Sequence, residues 1–72
     1  MSNRVDLIQG MLDAVNKAGR CARMNHIQLT RAKGFKKRPL LQIVANHYYD
    51  AGRVNYEVAA FLESLLLKER RK

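Results

Sequence analysis

Residues 20–38 read RCARMNHIQLTRAKGFKKR, and their conformation decides how the rest of the chain can be arranged. A helical projection scatters the apolar side chains of this stretch around the axis, whereas residues 25–30 alternate between apolar and polar types. This alternation predicts an extended segment or a short strand. A short extra helix over residues 20–26 is the alternative. Further along, the sequence AKGF indicates a turn at Gly34.

An amphipathic helix is predicted before this stretch, over about residues 3–18. Its apolar residues recur at the three- and four-residue intervals that place side chains on one helix face. We expect the helix to end at Gly19, since glycine commonly follows the last helical turn. The apolar positions of this helix are Leu7, Ile8, Met11, Leu12, Val15 and Ala18.

Two further helices are predicted after the stretch, over about residues 39–51 and 55–70. Pro39 suits the first turn of a helix, where its missing N–H is no loss. Gly52 is expected to end the first of these helices, and Asn55 to cap the start of the second. Leu40, Leu41, Val44, His47, Tyr48 and Ala51 share one face of the first, and Val58, Phe61, Leu62, Leu65 and Leu66 share one face of the second.

The expected fold class is therefore all-α, with residues 1–72 forming a single small helical domain. Three amphipathic helices make a bundle, or four if residues 20–26 are helical. A long basic loop or extended segment over about residues 20–38 separates the first helix from the second. The apolar stripes of the outer helices are broader than packing around one core requires, and this breadth predicts a homodimer.

The composition excludes several classes of protein. A hydrophobic fraction of 47% is too high for a disordered basic tail. No apolar stretch approaches the roughly 20 residues that cross a bilayer, so we expect no membrane contact. The single cysteine, Cys21, cannot form a disulfide within the chain, which favours a reducing compartment and predicts a cytoplasmic protein.

Positive charge is concentrated in one interval of the sequence. The chain has 14 Lys and Arg against 6 Asp and Glu, a net charge of +8. No carboxylate lies between Asp13 and Asp50, while that interval holds eight basic residues, and acids and bases balance elsewhere. A concentrated positive field suits a polyanion, and phosphate backbones are the commonest polyanions in a cell. A basic surface that only aids solubility is the simplest alternative.

Two groups of residues are candidates for nucleic-acid contact. The basic loop is expected to bind phosphates. The helix that follows is expected to present base-reading side chains on its solvent face. Arg, Gln and Asn can bond to base edges, and Tyr can stack on a base or bond to a phosphate. The expected phosphate contacts are Arg31, Lys33, Lys36, Lys37 and Arg38. The expected base contacts are Gln42, Asn46, Tyr49 and Arg53, on a face that also carries Ala45.

No catalytic, metal or cofactor site is expected. Cys21 and His26 are the only neighbouring soft ligands, whereas zinc takes four. The sequence lacks the glycine-rich phosphate-binding motifs, and no small-molecule substrate is evident. One enzymatic alternative is a ribonuclease-type toxin, in which His26 and His47 act with lysines as general acid and base. His47 is otherwise expected near the core as a hydrogen-bonded structural residue.

Together these observations predict a small nucleic-acid-binding protein that acts by occupancy, as a regulatory or accessory factor. Double-stranded DNA is the preferred partner over RNA. The alternative is a protein-binding modulator or inhibitor that docks its basic stretch on an acidic surface of a larger enzyme, such as transcription or replication machinery. Tyr49, Leu67 and Phe35 would then be interface anchors.

Overall fold

The computed structural model describes residues 3–71 and consists of two long helices. Helix α1 spans Asn3–Thr30 and helix α2 spans Pro39–Arg70. A turn and a single 3₁₀ turn, Phe35–Lys37, connect them. The helices pack against each other as an antiparallel hairpin, which forms a narrow rod of 55 × 13 × 13 Å.

The expected bundle of three or four helices with a long basic loop is wrong. Residues 20–30, expected to be a loop or extended segment, complete α1, and no strand occurs within residues 3–71. The two helices expected over residues 39–51 and 55–70 are one continuous helix. Asn55 is not a cap, since its Nδ2 donates 2.8 Å to the carbonyl oxygen of Ala51 within that helix. The start at Pro39, the end at Arg70 and the turn at Gly34 are confirmed.

A heptad repeat runs along both helices and explains why they pair. Buried or half-buried residues recur at alternating intervals of three and four, the spacing that keeps one seam of a helix facing its neighbour in a left-handed coiled coil. The seam of α1 consists of Val5, Ile8, Leu12, Val15, Gly19, Ala22, His26 and Leu29. The seam of α2 consists of Leu41, Ala45, Tyr48, Gly52, Asn55, Ala59, Leu62, Leu66 and Glu69.

The densest apolar packing lies in the half of the rod that contains the two helix ends Asn3 and Arg70. Its buried cluster comprises Ile8, Leu12, Ala59, Leu62 and Leu66. An ion pair between Arg4 Nε and Glu69 Oε1, 3.3 Å apart, joins the two helices beyond this cluster.

In the half nearer the connection, small residues bring the helix backbones together. A Cβ built at Gly19 would lie 3.3 Å from Cβ of Asn55. One built at Gly52 would lie 3.9 Å from Cβ of Ala22 and 4.0 Å from the carbonyl oxygen of Gly19. Both glycines therefore serve close helix packing, and neither ends a helix.

The connection is short because Gly34 and Gln42 organise it. Gly34 has a φ of 78°, a left-handed conformation that costs a residue with a Cβ about 1 kcal/mol or more. Nε2 of Gln42 donates to the carbonyl oxygens of Phe35 and Lys36, at 3.1 and 3.0 Å. These bonds fasten the 3₁₀ turn to the first turns of α2.

The two long sides of the rod differ in chemistry. In each helix, the residue that follows a seam position in the sequence lies to one side of the seam, and the residue that precedes it lies to the other side. Because the helices are antiparallel, the following residues of both helices share one side of the hairpin, and the preceding residues share the opposite side. We call the first side the polar face; it includes Asn16, Arg20, Arg23, Gln42, Asn46, Tyr49, Arg53 and Tyr56. The second side has polar residues at its ends, Arg4, Asn25, Gln28 and Lys68, and between them lies the apolar face, formed by Leu7, Met11, Ala14, Ala18, Cys21, Leu40, Val44, His47, Ala51, Val54, Val58, Phe61 and Leu65.

Gly10 offers a direct test of helix continuity at an exposed position. A Cβ at Gly10 would meet nothing within 4 Å, so alanine there adds no clash. We expect Gly10→Ala to raise the free energy of unfolding by about 0.5–1 kcal/mol, because alanine costs less backbone entropy in a helix. Urea unfolding followed by circular dichroism measures the change. A loss of stability would contradict an open helical site at this position.

Candidate nucleic-acid interface

A groove runs along the polar face between the two helices, close to Gly19 and Gly52. Its volume is about 410 Å³. The absence of side chains at Gly19 and Gly52 deepens the groove floor, while longer side chains from both helices form its walls. The lining residues are Val15, Asn16, Gly19, Arg20, Arg23, His26, Tyr48, Tyr49, Gly52, Arg53, Asn55 and Tyr56.

Three arginines from both helices give the groove its charge. Arg20 and Arg23 lie one turn apart on α1, and Arg53 lies on α2 across the groove. Within residues 3–71, neither Arg20 nor Arg23 pairs with a carboxylate. Arg53 lies 3.6 Å from Glu57 in an exposed pair, and such pairs contribute only about 0.3–0.5 kcal/mol. All three guanidinium groups are therefore available to an anion.

Aromatic rings line the same groove beside these arginines. Tyr49 and Tyr56 are 59% and 73% exposed, so both rings are open to solvent. The His26 ring lies 5.5 Å from the Tyr49 ring, at an angle of 56°. Nδ1 of His26 lies 3.0 Å from the carbonyl oxygen of Ala45, so an Nδ1–H donates across the seam and fixes the ring.

Charge is graded along the polar face. Its carboxylates, Asp6, Asp13 and Glu63, follow seam positions in the half nearest Asn3 and Arg70. None of the residues lining the groove is acidic. The groove therefore has a positive field that continues toward the connection between the helices.

The predicted phosphate-binding residues cluster at the tip of the hairpin. All five are exposed, and they lie in or beside the turn that joins α1 to α2: Arg31, Lys33, Lys36, Lys37 and Arg38. The structure thus brings them together on a short cap and not along an extended segment. On the polar face between the groove and the tip, the residues Ile27, Thr30, Gln42 and Asn46 are uncharged, so no carboxylate separates the two basic regions.

The predicted base-contact residues share the polar face but differ in their availability. Tyr49 and Arg53 line the groove, and Asn46 is exposed one turn away. The amide of Gln42 already donates to two carbonyl oxygens of the 3₁₀ turn, so a base contact would break these bonds. Ala45, expected on the solvent face, is 1% exposed, because this face borders the seam instead of lying opposite it.

Other residues lie where the sequence did not place them. His47, expected near the core, is exposed on the apolar face. Arg20, Arg23, His26 and Tyr56 were not predicted to share a site. The signal that could have found them is the three–four spacing of Gly19, Ala22, His26 and Leu29, which continues the first helix and gives the two arginines one face.

Two kinds of feature were not found among the described residues: a cluster of metal-ligating side chains and a long apolar helix. Across residues 3–71, no three His, Cys, Asp or Glu side chains cluster as a metal site would require. In that same range, neither helix has a sufficiently long apolar segment to cross a bilayer.

Comparisons with known protein families, with curated proteins and with solved structures find no match to this chain. The functional argument therefore depends on the chemistry of the groove and the tip.

Proposed function

We propose that the protein binds nucleic acid by occupancy, with duplex DNA preferred over RNA, through phosphate contacts from the groove and the hairpin tip. The observation that carries the proposal is the convergence of Arg20, Arg23 and Arg53 beside two exposed tyrosines, in a region whose lining lacks carboxylates. Guanidinium groups form paired hydrogen bonds with phosphate, and tyrosine hydroxyls also bond phosphate. The protein would act as a regulatory or accessory factor without catalysis.

The width of the polar face favours contact with phosphates over base reading. Two packed helices, each about 10 Å in diameter, present a face of roughly 20 Å. The major groove of B-DNA is about 12 Å wide and admits one helix, so the hairpin cannot lie face down inside it. Arginine rows from two helices instead reach phosphates on both sides of such a groove. The A-form major groove of RNA is narrower, which supports the preference for DNA.

The proposed location is the cytoplasm. Cys21 is the single cysteine, and its free thiol is exposed. A reducing compartment keeps such a thiol from forming disulfides.

The salt dependence of binding tests this function. We expect the affinity for a random-sequence DNA duplex to fall with salt at a log–log slope near −4 to −5, if about five phosphates are contacted. Lys36→Gln with Lys37→Gln should reduce the steepness of this slope by roughly 2, because each lost phosphate contact removes about one counterion. Fluorescence anisotropy across a salt series measures both values, with a matched single-stranded RNA as the comparison.

The matched control is Lys68→Gln with Arg71→Gln, which removes the same charge from the opposite end of the rod. This variant should keep nearly the full slope. Absence of binding at low salt, or equal effects of the two double variants, would overturn the proposal. Tighter binding to the RNA would overturn the preference for DNA.

A further inference from the structure

The apolar face is a continuous exposed surface on the side of the rod opposite the groove. Leu7 and Phe61 are each 63% exposed, Val54 is 50% exposed and Val44 is 42% exposed. Single exposed apolar residues are ordinary on protein surfaces, but continuous rows over residues 7–21 of α1 and 40–65 of α2 mark an interaction site.

This face is also free of charge over most of its length. On α1 its residues from Leu7 to Cys21 include no Asp, Glu, Lys or Arg, and the same holds on α2 from Leu40 to Leu65. The strongly charged polar face lies on the other side. An occupant of the apolar face therefore has to be apolar along a matching length.

The area of the apolar face reaches the lower end of the range for stable interfaces. Its rows span residues 7–21 of α1 and 40–65 of α2, which at about 1.5 Å per residue and about 10 Å of width per helix gives roughly 600 Å². Two copies would bury about 1,200 Å² in total, the area at which stable protein interfaces begin.

The hairpin by itself has a thin core. No large side chain among residues 3–71 is less than 2% exposed, and four of the eight seam positions nearest the connection are glycine or alanine. Chains of this size rarely gain more than about 3–5 kcal/mol from their own core. Covering the apolar face would bury the large side chains that the seam leaves exposed.

We propose that a second copy of this chain covers the apolar face and completes a four-helix bundle. The apolar face is complementary to the same face of a second copy. Its α2 row carries bulky side chains, whereas the centre of its α1 row carries small ones. Val54, Val58 and Phe61 represent the bulky row, and Ala14 and Ala18 the small row. With the two-fold axis along the helices, the bulky row of each copy packs over the small row of the other.

The mass of the protein in solution tests the dimer. Analytical ultracentrifugation at tens of micromolar should give twice the chain mass of 8.3 kDa. Val54→Glu with Phe61→Glu should reduce the mass to that of one chain, because two buried carboxylates in each copy would face apolar side chains. The control is Met24→Glu with Ile43→Glu, at positions with 56% and 52% exposure on the outer sides of the helices. This control should remain dimeric.

A second measurement covers the case in which the apolar-face variant does not fold. The melting temperature of the unmodified protein should rise with protein concentration, since a dimer is stabilised by mass action. A single-chain mass together with a concentration-independent melting temperature would overturn the proposal. Dissociation of the outer-side control to the same extent would also overturn it, because the apolar face would then not be the interface.

The dimer has a consequence that rests on the proposed function. Its two polar faces point in opposite directions, so one dimer should bridge two DNA duplexes. Energy transfer between donor- and acceptor-labelled duplexes should appear with the unmodified protein and disappear with Val54→Glu plus Phe61→Glu. A dimer that binds no DNA would overturn the proposed function and leave the dimer standing. A dimer that binds DNA without bridging would overturn the back-to-back arrangement.

Discussion

Replacing Gly52 by leucine is expected to reduce the free energy of unfolding by about 2–3 kcal/mol or more, most of what a core of this size supplies. The Cβ alone would lie 3.9 Å from Cβ of Ala22 and 4.0 Å from the carbonyl oxygen of Gly19. Gly52 is a half-buried seam position that also lines the groove, so the further carbons of leucine would either press on Ala22 and Gly19 or fill the groove floor. The packing of the two helices would loosen at this point of the seam.

Gly10→Leu is the matched control, because a side chain there enters open space. Leucine at this position should leave stability unchanged or raise it by up to about 1 kcal/mol through helix propensity. Gly52→Ala should have an intermediate effect, since its Cβ makes only ordinary van der Waals contacts. Thermal and urea unfolding by circular dichroism compare all three. Similar stabilities for the two leucine variants would mean that the helices do not pack through Gly52.

Removing the groove arginines is expected to weaken DNA binding by about a hundredfold at low salt. The variant is Arg20→Gln, Arg23→Gln and Arg53→Gln, and the estimate takes about 1 kcal/mol for each lost contact to phosphate. All three residues lie on the polar face, outside the seam, so the hairpin should keep its helix content. Fluorescence anisotropy with a random duplex measures the affinity.

A variant with Lys17→Gln, Lys68→Gln and Arg71→Gln removes the same three charges away from the groove. We expect it to weaken binding less than tenfold, through the general loss of positive field alone. If the two triple variants bind equally well, net charge and not the groove determines the affinity. If both lose binding completely, the contact surface is not confined to the groove and tip.

Several local features could be predicted because short-range chemistry decides them. Pro39 begins α2 since the first helical turn needs no N–H from that residue. Gly34 forms a turn because its conformation is left-handed. Tyr49 and Arg53 are expected from the sequence on one side of the same helix, and both line the groove.

The continuity of the helices could not be predicted because the meaning of a glycine depends on its neighbours. In sequence, Gly19 and Gly52 resemble helix stops. In the hairpin each of them faces the other helix across the seam, where an added Cβ would lie within 4 Å of that helix. The scattered apolar residues of 20–30 were misjudged for the same reason, since the seam there uses Gly19, Ala22 and His26, which carry little apolar signal.

The amino-acid sequence was enough to predict helix over residues 3–18, 39–51 and 55–70, the basic interval between Asp13 and Asp50, and the excess of apolar surface on each helix. These properties depend on residue types and short spacings, which do not change with the partner of a helix. Which apolar stripe forms the seam depends on how the two helices pack, because neighbouring stripes of similar hydrophobicity compete for it. In the half nearer the connection the seam takes the stripe that contains Gly19, Ala22, Ala45 and Gly52. That choice leaves the bulky stripe exposed on one side and gathers Arg20, Arg23 and Arg53 on the other.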